Sequence, residues 1–227
     1  MKLVYVLWRS GDRDRDAFAR ELVESARRLI AAGAHRLVLH TADVDADFGA
    51  SVPVRNEAGS VAGLASLELD ADARREPIET VLAAVASRVA GYRVTESVPV
   101  AYSDRDWPDG ERSPGVTLLT LLVRNPALTH PQFMYEWHEV HTPLSLEVHP
   151  MWSYVRNVVD EVLTAGAPHW PGIVTESFRT LEHVTDPKLF YRGEGSAKRV
   201  IEHVSRFLDL PKIETYLMNE YIMQSEG

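Results

Sequence analysis

The 227-residue chain contains no cysteine. That excludes a disulfide framework and a thiol nucleophile. It also lacks excess positive charge: 24 Lys and Arg stand against 33 Asp and Glu, for a formal net charge of -9. The basic residues are scattered, which argues against nucleic acid or an anionic membrane as a partner. No apolar run approaches membrane-spanning length. The first run, in MKLVYVLWRSGDRD, reaches charge at Arg9 and is too short for a signal peptide. We therefore expect a soluble, cytoplasmic protein. A P-loop, a dinucleotide-binding glycine fingerprint and a G-x-S-x-G elbow are all missing. The GEGS at 193–196 reads as a turn that starts a helix.

What is present is an ordinary globular composition, 45% apolar, enough for a sizeable core. At this length one large domain or two small ones would fit. Residues 2–8 (KLVYVLW) read as a strand. Phe18, Leu22, Ala26, Leu29 and Ile30 form a helical stripe ending near Gly33. Strands follow at 36–41 and 60–69, separated by a small, acidic stretch that reads as a loop. A helix at 77–90 and a strand at 92–102 complete a βαββαβ unit, the ferredoxin-like order. Residues 103–114 (SDRDWPDGERSP) read as a linker. Trp107 within it is either an anchor that packs the linker down or a lid over a pocket.

The second half repeats the order. Strands are expected at 115–123, 151–163, 172–179 and 213–223, and helices at 131–142 and 196–208. A shift of 115 positions places Arg9 on Arg124 and Phe18 on Phe133, but also Leu22 on Trp137 and Ala26 on His141. The first half thus repeats the scaffold without the polar residues.

Residues 124–157, RNPALTHPQFMYEWHEVHTPLSLEVHPMWSYVRN, are the most informative. Thr129 suits a helix N-cap and Pro131 a first helical turn. Phe133, Trp137, Val140, Leu144 and Val148 recur at helical spacing. His141 lies one turn after Trp137 on the same face. Pro143 is expected to bend or break the helix beside that histidine.

These residues resemble the EthD family of the dimeric α/β-barrel superfamily. The matching positions are Arg124, Leu128, Thr129, Phe133, Trp137, His141, Pro143, Leu144, Tyr154 and Asn157. One position departs: Glu136 stands before the tryptophan, where the family has tyrosine, and Tyr135 lies on a different face. The match covers residues 115–223. It implies an α+β fold in which two ferredoxin-like units, 1–102 and 115–227, pack sheet to sheet into a barrel within one chain. Association with a second copy, as a homodimer, fits the same pattern.

The expected catalytic residues are His141, Glu176 and Tyr154. A neutral imidazole transfers protons near pH 7. Glu176, in GIVTESF, would carry a raised pKa if it faced the barrel interior unpaired, and a phenol at Tyr154 can donate to an oxyanion. Trp137, Asn157, Phe133, Arg124 and Trp170 are the candidate substrate-binding residues. Tyr154 and Asn157 point to opposite strand faces, so without a bulge only one of them reaches the site. Glu220 and His169 rank below these. The HEVH at 138–141 lacks the H-E-x-x-H spacing of a zinc helix, and we expect neither a metal nor an organic cofactor.

The resemblance implies a small enzyme of catabolism or secondary metabolism acting on an apolar, aromatic or ether-type molecule. Its chemistry would be His-assisted proton transfer, of dehydratase, isomerase or cyclase type. The alternatives are a cofactor-independent oxygenase, a ligand-binding accessory protein without activity, and a haem enzyme.

Overall fold

A computed structural model describes residues 1–44 and 61–225. Part of the expected acidic loop, 45–60, lies outside the described residues. The strands are β1 (Lys2–Trp8), β2 (His35–Thr41), β3 (Val61–Glu68), β4 (Arg88–Val100), β5 (Val116–Leu122), β6 (Ser153–Val162), β7 (Gly172–Phe178) and β8 (Glu214–Ile222). The helices are α1 (Arg15–Glu24), α2 (Ala26–Ala31), α3 (Glu76–Val85), α4 (His130–Tyr135), α5 (Thr142–Val148), α6 (Glu182–Thr185), α7 (Pro187–Phe190) and α8 (Ser196–Phe207). A π-helical turn, Glu136–His141, joins α4 to α5.

The strands close into one barrel in the order β1-β3-β2-β8-β5-β7-β6-β4. Within each half the order is that of a ferredoxin-like sheet, β4-β1-β3-β2 and β8-β5-β7-β6. The halves do more than stack face to face: their edge strands pair. β2 joins β8 from Val38↔Ile222 to Thr41↔Asn219. β4 joins β6 over a longer stretch, from Tyr92↔Val162 to Val100↔Tyr154. Closure removes the exposed edges that an open sheet would present.

Both faces of the sheet are buried. Val4, Val6, Leu64, Tyr92, Leu119 and Met218 fill the barrel. The alternate residues Leu3, Tyr5 and Leu7 turn outward and pack under α1, α2 and α3 with Phe18, Leu22 and Leu82. In the second half Leu122, Tyr154 and Val174 turn outward under Phe133, Trp137 and Phe207.

Several elements differ from the sequence reading. The first helix is two, split at Ser25, whose hydroxyl donates to the Leu22 carbonyl at 2.7 Å. The helix expected to run to residue 90 stops at Val85, because Val89 is drawn into the sheet opposite Leu7. Pro143 does not break its helix. A straight α-helix would leave the carbonyl four residues earlier without its N–H. The chain instead widens into the π turn and resumes as α5, with Pro143 in the first turn. The Thr142 hydroxyl donates back to the Trp137 carbonyl at 2.9 Å, across the widened turn.

The linker residues lie against one end of the barrel. The Ser113 N–H donates to the Glu220 carbonyl and the Gly110 N–H to that of Ile222. Trp107 is buried between Tyr102 and Trp152, with ring centroids 5.2 and 5.1 Å away. Its indole N–H donates to Ser113 Oγ at 3.1 Å. Trp107 therefore anchors the linker.

Candidate active site

The cavity at His141 lies outside the barrel, between the second-half sheet and its helices. It encloses about 310 Å³. Glu176 accordingly faces the helices and not the barrel interior. The floor follows from register. Tyr154 pairs with Glu176, and Glu176 with Leu118, across β6, β7 and β5. Side chains directly opposite on neighbouring strands share a face, with Cβ atoms about 5 Å apart. Tyr154 and Glu176 therefore stand side by side on the cavity floor. The next row holds Val174, Thr120 and Thr215.

The roof is the π turn, α5 and α8. Trp137 packs against the sheet over Gly172, and a Cβ at Gly172 would collide with the indole ring. A side chain there is excluded so that the tryptophan can reach the floor. Widening a helix by one residue re-aims the side chains that follow it, a device common at functional sites. Here it brings His141 and Ser145 to the cavity together, with His141 Nε2 3.1 Å from Ser145 Oγ. The His203 ring of α8 stacks on His141 at 5.4 Å with an interplanar angle of 3°. His203 Nε2 lies 3.1 Å from Glu136 Oε2. Because a carboxylate only accepts, that nitrogen carries the proton.

The electrostatics separate the titratable groups. Burial lifts the Glu176 carboxyl to about pKa 7. No hydrogen bond from another described residue offsets this. Burial, and secondarily the Glu176 charge, push the Tyr154 phenol up to about 12; its hydroxyl lies beside Thr142 and Trp137. His141 moves the other way, to about 3, through burial and then through His203 and His149. His149 falls to about 4, again chiefly by burial. Its Nδ1 lies 3.0 Å from the Phe190 carbonyl. That nitrogen donates, so Nε2 is left as an acceptor.

Of the expected residues, the fold brings His141, Glu176, Tyr154 and Trp137 to one cavity. Phe133 lies behind it, buried against Trp137 and Phe207 at 5.7 and 5.9 Å. Three others lie elsewhere. Asn157 points into the barrel, its amide N–H donating to the Ile173 carbonyl at 3.3 Å. Trp170 plugs one barrel end, stacked on Trp8 at 6.3 Å and against Tyr92 at 5.8 Å. Arg124 lines a separate cleft with His130 and His169. Glu220 also lies in the barrel, opposite His40. Ser145, His149, Tyr191 and His203 were not foreseen. His203 did carry a signal: with Val200 and Phe207 it forms the buried stripe of α8. Among the described residues, no group of three or more His, Asp or Glu side chains is placed to hold a metal ion.

No family model and no curated protein matches the chain. Solved structures do. An "anthrone oxidase-like protein" superposes with a TM-score of 0.61 at 8% identity, over 100% of this chain and 94% of the other. A candidate monooxygenase from Fusobacterium nucleatum gives 0.53 at 9% identity, over 100% and 93%. The chain has the dimeric α/β-barrel fold. The likeness spans both halves, so this dimeric α/β barrel is built within a single chain. At such identities the comparisons show the fold alone, and none names EthD. No helix among the described residues is long and apolar enough to cross a membrane.

Proposed function

We propose that this dimeric α/β barrel is a small EthD-like enzyme that acts on an apolar, aromatic or polyketide-like molecule by proton transfer, without an organic cofactor. One observation carries the reading: a carboxyl with a pKa of about 7, Glu176, lies beside a protonated phenol in a largely apolar cavity. A carboxylate so shifted is a much stronger base than an ordinary one and is half ionised at neutral pH. Glu176 takes a proton from an acidic carbon or hydroxyl of the substrate. Tyr154 donates a hydrogen bond to the oxygen where negative charge develops. His141, neutral at pH 7, orients the substrate; the proton-transfer role expected of it passes to Glu176. Trp137 and Phe207 offer rings against which an aromatic substrate packs. Dehydration, isomerisation and cyclisation all begin with this step.

The names of the two structural neighbours favour a second reading. In it the substrate anion formed by Glu176 gives its electrons to dioxygen, which is reduced as the substrate is oxidised. Turnover of a panel of anthrone-like and other weakly acidic aromatic compounds, followed with an oxygen electrode, separates the two. In either case Glu176→Gln lowers kcat about 100-fold or more, with a small change in KM. The wild-type kcat/KM rises with pH through about 7 as the base ionises. Unchanged turnover in Glu176→Gln would overturn the assignment. Ligand binding with no turnover of any compound would instead favour an accessory binding protein.

A further inference from the structure

The barrel interior is built differently at its two ends. One end is filled by Tyr92, Trp170, Tyr216 and Met218. The other encloses a cavity of about 490 Å³ that shares no lining residue with the His141 cavity. Filling it would require only apolar side chains at inward positions, as at the first end. The chain places Ser66, Ser153, Thr175, Asn157, His40 and Glu220 there instead.

Each cation of this end faces a carboxylate. Lys2 Nζ lies 2.7 Å from Glu96 Oε2, and Arg105 Nη2 2.5 Å from Asp109 Oδ1. Arg36 Nη1 lies 2.6 Å from Glu68 Oε1. His40 Nε2 faces Glu220 Oε2 at 3.4 Å across the β2–β8 seam. The other Glu220 oxygen accepts from Tyr102 at 2.9 Å and Ser113 at 2.7 Å. A fixed ligand charge would therefore meet only charged groups that are already paired or hydrogen-bonded. Apart from Arg105 Nε, whose guanidinium is already paired through Nη2, the side-chain atoms buried without a hydrogen bond here belong to Gln224, Asn157 and His40. Asn157 is 2% exposed and His40 3%, and both Asn157 Oδ1 and His40 Nδ1 are buried without a hydrogen bond. A buried polar atom left in that state is costly. In the tautomer whose Nε2–H points at Glu220, Nδ1 of His40 is an acceptor, as is Asn157 Oδ1. Both call for donors, and the hydroxyls of Ser66, Ser153 and Thr175 either donate or accept.

We propose that this end of the barrel is a second ligand site, for a small uncharged molecule rich in hydroxyl groups. The linker closes the site, through Tyr102 and Ser113 on Glu220.

Calorimetric titration and saturation-transfer NMR of the full chain test this. The probes are glycerol, myo-inositol and glucose, with citrate and spermidine as charged controls. Saturable binding separates a site from the general stabilisation that polyols give by exclusion from protein surfaces. We expect an uncharged polyol to bind saturably. The affinity falls about tenfold in Thr175→Val, the loss of one good hydrogen bond, and is unchanged in His141→Ala. Thr175→Val keeps the side-chain shape and the fold; Asn157→Leu is the harsher second variant. Absence of saturable binding by any polyol, meaning ordered water only, overturns the proposal. So does tighter binding of citrate or spermidine, or an equal loss in His141→Ala.

Discussion

The two halves of the barrel share one framework and differ at the positions that matter. Leu7 pairs with Gly63 as Leu122 pairs with Gly172. Leu22 packs over Gly63 as Trp137 packs over Gly172. Leu3 pairs with Leu67 as Leu118 pairs with Glu176. The first half thus places Leu22, Ala26 and Leu67 where the second places Trp137, His141 and Glu176. The first set is fully or almost fully buried in continuous packing. The second surrounds a cavity. A ferredoxin-like unit therefore needs no cavity for its stability, and the second half keeps one despite the cost of a buried carboxyl and two buried imidazoles. Expense of this kind marks functional sites.

Exchanging the two central residues breaks the comparison most severely. Leu67→Glu places a carboxyl in dry packing with no cavity to receive it. A loss of several kcal/mol or outright failure to fold is expected. Glu176→Leu, the reverse exchange, keeps the fold and stabilises it by about 1 kcal/mol or more above pH 7, where the wild-type carboxylate is charged. Urea denaturation of both variants measures the contrast. Equal destabilisation of the two would show that the halves are energetically alike.

A smaller effect is expected at the paired glycines. Gly172→Ala drives a methyl into the Trp137 ring, and Gly63→Ala drives one into Leu22 Cδ2, 2.6 Å away, and Phe18 Cε1, 3.3 Å away. Overpacking costs about 1–3 kcal/mol in each case. Only Gly172→Ala lifts Trp137 from the cavity floor, so only it alters ligand binding. Thermal unfolding and Trp fluorescence of the two variants, with and without ligand, test this.

The pH dependence of stability is the finest distinction. Glu176 has a folded pKa of about 7, above that of an ordinary carboxyl. Between pH 4.5 and 7 the unfolded chain has lost that proton while the folded chain still holds it. Stability from this group therefore falls as pH rises through the window, by on the order of 2–3 kcal/mol. His141 and His149 act in the opposite sense. Their folded values of about 3 and 4 lie below that of a free imidazole. The unfolded chain takes up protons first, so stability falls as pH drops below about 6.5. Glu176→Gln removes the alkaline-side loss and His141→Asn part of the acid-side loss. Denaturation midpoints from pH 4 to 8 that are parallel in all three proteins would contradict these assignments.

The twofold βαββαβ order was legible because turn signals and hydrophobic periods survive in both halves. The opposition of Tyr154 and Asn157 followed from strand geometry. The direction each one faces did not, because both faces of this sheet are buried and a period of two does not label them. That ambiguity left open which of the two shares a cavity with His141. The π turn was hidden for a related reason: Pro143 announces a disturbed helix, and only the packing of Trp137 on Gly172 decides whether the helix breaks or widens. Arg124 and Trp170 flank the site in sequence, but strand ends carry Arg124 to a separate cleft and Trp170 into one end of the barrel. His203 comes from a helix distant in sequence, and only the tertiary fold stacks it on His141.

Joining the halves through residues 101–115 has a consequence for how the barrel is held shut. Two separate chains would meet only at a rate set by their abundance, and dilution would part them. In one chain the partner sheet is always present at a high effective concentration. The seams need only outweigh the loop entropy of their own closure. The short β2–β8 seam can then remain modest and hold the His40–Glu220 pair, while the longer β4–β6 seam bears more of the closure. Tethering also releases the two sheets from identity. A barrel made from two copies must carry two equal sites, whereas this one can devote one half to packing and the other to chemistry.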